Sequence, residues 1–150
     1  MNQTFRCLAV VLLVTATGCR KQGNSVRLKP SDGEFSSLIT AEVTRARARN
    51  LRPFLELRAE WCGPCKALEA SMGDARMADA FAGTFVISVD IDEFPQVEKL
   101  GFDSGSIPVF FELDAKASPT GRRIDGGAWG ENIAANMAPP LKAFFAQEPN

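Results

Sequence analysis

The 150-residue sequence contains neither histidine nor tyrosine. The absence of histidine excludes Ser-His-Asp and Cys-His catalysis, histidine-ligated metals and proton shuttling by imidazole. An excess of charge of one sign is lacking as well, because 17 Lys and Arg balance 18 Asp and Glu. Nothing in this balance indicates a nucleic-acid binder. Any chemistry must therefore use carboxylates, lysines, hydroxyls or the cysteines, which are Cys7, Cys19, Cys62 and Cys65.

The first residues have the layout of an export signal. Arg6 precedes an apolar run over residues 7–14, which is too short to span a bilayer, since a spanning helix needs about 20 residues. Small residues at 16–18 then lead to Cys19, and this pattern resembles the lipobox of bacterial lipoproteins. Ala16 departs from that pattern, in which Leu is usual. The resemblance implies cleavage before Cys19 and diacylation of its thiol, and the alternative is an ordinary signal peptide cleaved near Gly18.

The composition divides the chain into three parts. We expect a lipoprotein-type signal peptide over 1–18, a polar flexible tether over 19–33 and one domain over 34–150. More than one acyl chain on Cys19 would hold the protein stably on a membrane surface. The residue after Cys19 is Arg20, whereas many lipoproteins that are retained at the inner membrane carry Asp at that position. The sequence therefore predicts a periplasm-facing lipoprotein of the bacterial cell envelope, with the outer membrane preferred.

Hydrophobic periodicity predicts an α/β domain. The expected order is α-β-α-β-α-β-β-α around a small mixed sheet. The first helix is preceded by Ser31 and Asp32 as candidate N-caps. The last helix is expected to begin at Pro139 or Pro140, where a missing N–H costs nothing. The predicted helices lie over about 34–50, over 62–72 with a second helical piece over 75–81, over 95–100, and in a last helix that includes 141–147. The predicted strands lie over 53–59, 84–90, 108–113 and 122–125.

Cys62 and Cys65 are separated by two residues, a spacing with three common interpretations. A zinc site would need two further Cys or His ligands. The chain has no His, and Cys7 and Cys19 lie in the predicted export segment, so no metal is expected. A structural disulfide across so short a loop adds little stability. A redox pair is favoured, because a cysteine at the N-terminus of a helix that follows a strand has its thiolate stabilised by backbone N–H groups and the helix dipole.

The residues around this pair resemble the thioredoxin active-site signature, residue for residue, over Ala59-Glu60-Trp61-Cys62-Gly63-Pro64-Cys65-Lys66. The resemblance implies a thioredoxin fold over about 53–147. The additional N-terminal helix and the segment 71–81 are more similar to exported reductases, such as the C-terminal domain of the membrane disulfide-interchange protein. In the family, the first cysteine is the exposed nucleophile and the second resolves the mixed disulfide. Trp61 is then expected to shield one side of the site.

Three further positions take roles from the same resemblance. Glu56 lies where thioredoxins carry a buried Asp that exchanges a proton with the second cysteine, and the alternative is a carboxylate on a solvated strand face. The Ile107-Pro108 bond is expected to be cis and to lie beside the cysteines and the substrate, although a proline at a strand start is also tolerated without any such role. Trp129 is left open between a core position and a contact at the rim.

The function that these features predict is reduction of protein disulfides. Gly63 and Pro64 between the cysteines are the reducing variant of the family, whereas oxidising relatives usually carry Pro-His. No cofactor is expected beyond the Cys62-Cys65 disulfide itself. The implied partners are protein disulfides and a membrane electron donor, because an exported reductase works in an oxidising compartment. The alternatives are a disulfide oxidase or isomerase, and a non-catalytic thioredoxin-like adaptor.

Overall fold

A computed structural model describes residues 24–147 of the chain. The predicted signal peptide and Cys19 lie outside these residues. Within the described part, no helix is long and apolar enough to cross a membrane. Short 3-10 turns lie at Pro30–Asp32, Pro95–Leu100 and Gly126–Ala128. The strands and α-helices are, in chain order, β1 (Asn24–Arg27), α1 (Phe35–Ala48), β2 (Arg52–Arg58), α2 (Gly63–Ser71), α3 (Ala75–Ala80), β3 (Thr84–Asp90), β4 (Val109–Leu113), β5 (Pro119–Asp125) and α4 (Ala134–Ala146).

The strands form one mixed sheet in the order β1-β3-β2-β4-β5. β3 pairs in parallel with β1 and β2, while β4 pairs antiparallel with β2 and β5. β2 therefore lies at the centre, and it leads directly into the segment that carries the cysteines. On β2, Glu56 stands opposite Ser88 of β3 and Phe110 of β4. The predicted α/β layered domain with the thioredoxin fold is confirmed.

The alternation of β2 divides the core into two layers. Leu55 and Leu57 pack with α1 on one face of the sheet, in a cluster that includes Phe35 and Val43. Phe54 points to the other face, where α2, α3 and α4 cover the sheet. Successive strand residues point to opposite faces, so Glu56 shares the face of Phe54. The centre of the sheet thus directs one carboxylate toward the helix that begins at the cysteines.

The flexible tether predicted over 19–33 is wrong for the residues from 24 onward. β1 adds a strand of four residues to the edge of the sheet, with Asn24 opposite Phe85 and Arg27 opposite Ser88. Leu28, just after β1, is 3% exposed and belongs to the core. The polar composition concealed this strand, because its stability comes from hydrogen bonds to β3 and from the burial of Leu28.

The predicted start of the last helix is also wrong. α4 begins at Ala134 and contains Pro139 and Pro140 in its interior. A proline inside a helix loses one backbone hydrogen bond and crowds the preceding turn. The helix forms nevertheless because Met137 and Leu141 are fully buried against the sheet on either side of the two prolines. Elsewhere the element bounds differ from prediction by a few residues, the largest difference being at the start of β5, which begins at Pro119.

Candidate redox site

The two cysteines lie together at the beginning of α2. They form a disulfide, with Cα atoms 5.3 Å apart. Cys62 is the N-cap of the helix, and its Sγ accepts a hydrogen bond of 3.1 Å from the backbone N–H of Cys65. Pro64 occupies the first turn, where its missing N–H leaves no hydrogen bond unmade. The local sequence thus places a sulfur atom against the unpaired N–H groups of a helix start.

Cys62 is less accessible than the resemblance implied. Its residue surface is 3% exposed, compared with 1% for Cys65, so the expectation of an exposed nucleophile is wrong for this disulfide form. The Sγ of Cys62 lies 3.7 Å from the carbonyl oxygen of Ile107, and Ile91 also packs against the cysteines. Gly63, beside Cys62, has open space where a side chain would stand. The open side of the disulfide is therefore at the start of α2.

Trp61 is the most exposed large apolar side chain among the described residues, at 66%. Its indole Nε1–H donates a hydrogen bond of 2.8 Å to Asp92, which follows β3. Glu60, next to it, forms an ion pair with Arg27 of β1. The indole is thus held on one side of the cysteines by a polar contact at its edge, and its apolar ring faces solvent.

Pro108 stands next to the cysteines in space. The Ile107-Pro108 bond is cis, as predicted. The carbonyl oxygen of Pro108 accepts a hydrogen bond of 3.2 Å from the N–H of Gly126, and this ties the start of β4 to the turn after β5. Trp129, in the same region, is 7% exposed and packs in the core, with its Nε1–H donating to Asn132. The question left open for Trp129 is thereby settled in favour of the core.

Glu56 lies half-buried on β2 and lines a cavity of about 320 Å³ between the sheet and α2 and α3. Burial raises the pKa of its carboxyl, and this effect outweighs the hydrogen bond with Ser88 and the positive charge of Arg58, both of which lower it. A carboxyl with a raised pKa exchanges protons with a thiol more readily than an ordinary carboxyl does. The placement agrees with the predicted role without testing it, so proton transfer by Glu56 stays a prediction.

Two charged residues in this cavity were missed by the sequence analysis. The Nη2 of Arg58 lies 3.0 Å from Oε2 of Glu69 on α2, and both residues line the cavity with Glu56. The signal for Arg58 was its spacing, because a residue two positions after Glu56 lies on the same face of the strand. Glu69 carried no such signal, since its approach to Arg58 depends on how α2 packs on the sheet.

No cluster of three or more His, Cys, Asp or Glu side chains that could hold a metal ion occurs within residues 24–147. The groups that the described site offers for chemistry are the disulfide and the carboxyl of Glu56. Together they allow thiol–disulfide exchange coupled to proton transfer.

Two curated proteins resemble the chain in sequence. Thioredoxin-2 of Pyricularia oryzae is 28% identical over 88 residues, which cover 59% of this chain and 43% of that protein. Thioredoxin H2 of Arabidopsis thaliana is 36% identical over 56 residues, which cover 37% of this chain and 40% of that protein. The chain therefore matches less than half the length of either relative. No family model matches the sequence.

Solved structures resemble the fold. A disulphide isomerase from Xylella fastidiosa has a TM-score of 0.54 at 17% identity, over 76% of this chain and 90% of that chain. A thioredoxin h from poplar has a TM-score of 0.51 at 17% identity, over 68% of this chain and 83% of that chain. At such identities the likeness concerns the fold alone. The chain therefore has the thioredoxin fold, and over part of its length it is similar in sequence to thioredoxins.

Proposed function

We propose that the chain is a thiol–disulfide oxidoreductase that reduces disulfides in other proteins. The observation that carries this proposal is the Cys62-Cys65 disulfide at the start of α2, with Sγ of Cys62 accepting a backbone N–H. The same N–H and the helix dipole stabilise a thiolate on Cys62 once the disulfide is reduced. A stabilised thiolate is the species that attacks another disulfide.

In the proposed reaction the reduced protein supplies two electrons and the proton of the Cys65 thiol, and solvent supplies the second proton. The Cys62 thiolate attacks one sulfur of the substrate disulfide, and the other substrate sulfur leaves as a thiolate that takes a proton from solvent. Glu56 then accepts the proton of the Cys65 thiol, and the Cys65 thiolate attacks Sγ of Cys62. The mixed disulfide breaks, the second substrate sulfur leaves and takes the proton that Glu56 had accepted, and the Cys62-Cys65 disulfide forms. A dithiol donor from outside the chain then restores the reduced state.

The direction of the reaction is proposed from the residues between the cysteines. Gly63 and Pro64 are the pair typical of reducing members of the superfamily, and the chain has no histidine to add a further positive charge beside the thiolate. We therefore expect a reduction potential close to the value of about −270 mV that is typical of thioredoxins. A potential near the −120 mV or so of a strong oxidant would instead indicate a disulfide oxidase. Absence of a reversible couple would indicate the non-catalytic adaptor.

The test is reduction of insulin disulfides by the chain in the presence of dithiothreitol. We expect Cys62→Ser to abolish the activity, because it removes the attacking thiolate. In a separate reaction, the Cys65→Ser chain is reduced and freed of dithiothreitol before insulin is added; it should still attack and should accumulate the mixed disulfide, which a non-reducing gel detects. Thr44→Ser, on the solvent-exposed side of α1, is the matched control and should keep the rate of the original chain. Undiminished reduction by Cys62→Ser would contradict the proposed function.

Export and anchoring belong to the same proposal. We propose that the mature chain begins at Cys19, carries lipid on that residue and receives electrons from a membrane protein. Because β1 begins at Asn24, residues 19–23 would separate the lipid from the sheet, a distance of at most roughly 18 Å. A labelled fatty acid should be incorporated in bacterial cells that express the full sequence and should be absent from Cys19→Ser. Equal labelling of the two proteins would contradict lipidation at Cys19.

A further inference from the structure

An ion pair between a buried arginine and an exposed glutamate lies beside the carboxylate to which proton transfer is assigned. The side chain of Arg58 is only 6% exposed, and its Nη2 lies 3.0 Å from Oε2 of Glu69, whose side chain is 66% exposed. A guanidinium in such a position loses its hydration, and one close carboxylate compensates for part of that cost. The proposed thiol–disulfide exchange does not itself use either residue.

Arg58, Glu69 and Glu56 line the same cavity. Arg58 and Glu56 come from β2 and share one face of the sheet, while Glu69 comes from α2, the helix that also carries Cys65. Arg27 of β1 is the other charged group that acts on Glu56 and lines this cavity, and it is engaged with Glu60 and Asp90. The cavity thus brings two positive charges and one negative charge to the carboxyl of Glu56, each from a different element.

We propose that Arg58 and Glu69 act together to set the protonation state of Glu56, so that Arg58 is a positioning residue for proton transfer to and from Cys65. This inference rests on the proposed oxidoreductase function. Arg58 favours the ionised form of Glu56, and Glu69 opposes it, both directly and by neutralising Arg58. The two charges therefore act in opposite directions on the balance between the protonated and the ionised form of Glu56, and removal of either one would shift that balance.

The proposal predicts opposite effects for the two members of one ion pair. Arg58→Gln removes the favourable charge and leaves Glu69 unneutralised, and both changes raise the pKa of Glu56. Glu69→Gln removes the repulsion and leaves Arg58 unpaired, and both changes lower the pKa of Glu56. Loss of a merely structural ion pair would instead weaken the fold in both variants and would not separate them in direction.

The direct measurement is the titration of the Glu56 side-chain carboxyl by ¹³C NMR in the oxidised full-length chain. We expect the midpoint to move to higher pH in Arg58→Gln and to lower pH in Glu69→Gln. Arg123→Gln is the matched control, because Arg123 lies on β5 and pairs with Asp103 and Asp125, away from the cavity. It should leave the midpoint unchanged. Because the reading comes from the carboxyl itself, it does not depend on any redox activity.

The second readout is the pH profile of insulin reduction. Since Glu56 must be ionised to accept the Cys65 proton, the rising limb should move with its pKa, upward for Arg58→Gln and downward for Glu69→Gln. Both shifts should vanish in a Glu56→Gln background, and Arg58→Lys, which keeps the charge, should restore most of the original profile. Midpoints that stay fixed, or move in the same direction, in the NMR titration would overturn the inference. A normal titration pattern in a chain that reduces no disulfide would overturn the proposed function instead.

Discussion

Glu56 shows, at the scale of a single residue, how the site works against the stability of the fold. A carboxyl on the central strand is deprived of water on the face covered by α2, and burial raises its pKa. The hydrogen bond with Ser88 and the charge of Arg58 compensate for this only in part. Such a group is costly to ionise in the folded chain and inexpensive to ionise in the unfolded one. The chain therefore keeps at this position a group that the core alone would not favour.

Replacing Glu56 by Gln should stabilise the protein at neutral pH. The folded pKa is raised above the ordinary value of 4.5, so the unfolded state loses its proton first as the pH rises. The free energy of unfolding then falls between pH 4.5 and the folded pKa and stays low above it. Glu56→Gln removes this loss, and we expect a gain on the order of 1 kcal/mol at pH 8 and none at pH 4.

Urea denaturation at several pH values measures this gain. Glu60→Gln is the control, because the pKa of Glu60 is lowered by its hydrogen bond with Arg27, so this substitution should give no gain at neutral pH. Equal stability of the Glu56→Gln and original chains across the pH range would show that the carboxyl is solvated in the folded state, which is the alternative that the sequence left open.

Local chemistry made part of the site predictable. The spacing of Cys62 and Cys65, the position of Glu56 and the proline at 108 are all features of short segments. The exposure of Cys62 was predicted wrongly, because it depends on Ile91 and Ile107, which come from other strands' ends. The Arg58–Glu69 pair was missed for the same reason.

At the scale of elements, one carboxylate joins the sheet to the last helix. Glu112 of β4 is buried between Arg52 of β2 and Arg122 of β5, and it accepts hydrogen bonds from both. The two guanidinium groups also donate to the carbonyl oxygens of Phe145 and Phe144, in the last turn of α4. Carbonyl groups in the last turn of a helix lack partners within the helix. The two arginines therefore cap the end of α4, and through Glu112 they attach this helix to β2, β4 and β5.

Glu112→Gln should destabilise the protein by about 2 to 3 kcal/mol at neutral pH, since it leaves two partly buried guanidinium groups without a compensating charge. Although burial raises the pKa of Glu112, the hydrogen bonds from Arg52 and Arg122 hold it below its ordinary value of 4.5. The stabilisation is therefore complete above pH 4.5 and is lost as the pH falls through the folded pKa. The difference in free energy of unfolding between Glu112→Gln and the original chain should therefore become smaller as the pH falls.

Thermal unfolding followed by circular dichroism from pH 3 to pH 8 checks this expectation. Glu131→Gln, at an exposed position before α4, is the matched control and should change stability by less than about 0.5 kcal/mol. A difference for Glu112→Gln that is as large at pH 3 as at pH 8 would mean that packing, and not the charge, supports the end of α4.

The elements that the sequence predicted least well are those that depend on distant partners. β3 and β4 consist mainly of apolar, β-branched or aromatic residues, and their bounds follow from the sequence. α4 starts earlier than its prolines suggest, because the burial of Met137 and Leu141 outweighs the local cost of Pro139 and Pro140. β1 has no apolar run at all, and it exists only because β3 offers it an edge.

For the whole molecule, β1 has two consequences. It covers the outer edge of β3, so that this parallel strand is paired on both sides. Residues of β1 also form one wall of the cavity that contains Glu56 and Arg58. An unpaired strand edge and an open cavity wall would both be exposed to solvent without it. The stability of the sheet and the burial of the Glu56 carboxyl therefore both depend on one short strand.

Removal of β1 should therefore affect stability and the site at once. The test compares a chain that begins at Asn24 with a chain that begins at Lys29 and so lacks β1 and Leu28. Loss of the buried Leu28 side chain and of the backbone pairing with β3 should lower the free energy of unfolding by about 2 to 5 kcal/mol in urea titrations. Loss of the cavity wall should also lower the pKa of Glu56, because its burial is the largest cause of the raised value.

The chain from Asn24 with Leu28→Ala separates these two effects. It keeps the strand and the cavity wall but loses the core contact, so its stability should fall while the NMR titration of Glu56 stays in place. The chain from Lys29 should show both changes. If the chain from Asn24 and the chain from Lys29 unfolded at the same urea concentration, β1 would contribute nothing to the stability of the sheet. If the chain from Lys29 were destabilised but its Glu56 titrated as before, burial by α2 and α3 alone would account for the raised pKa.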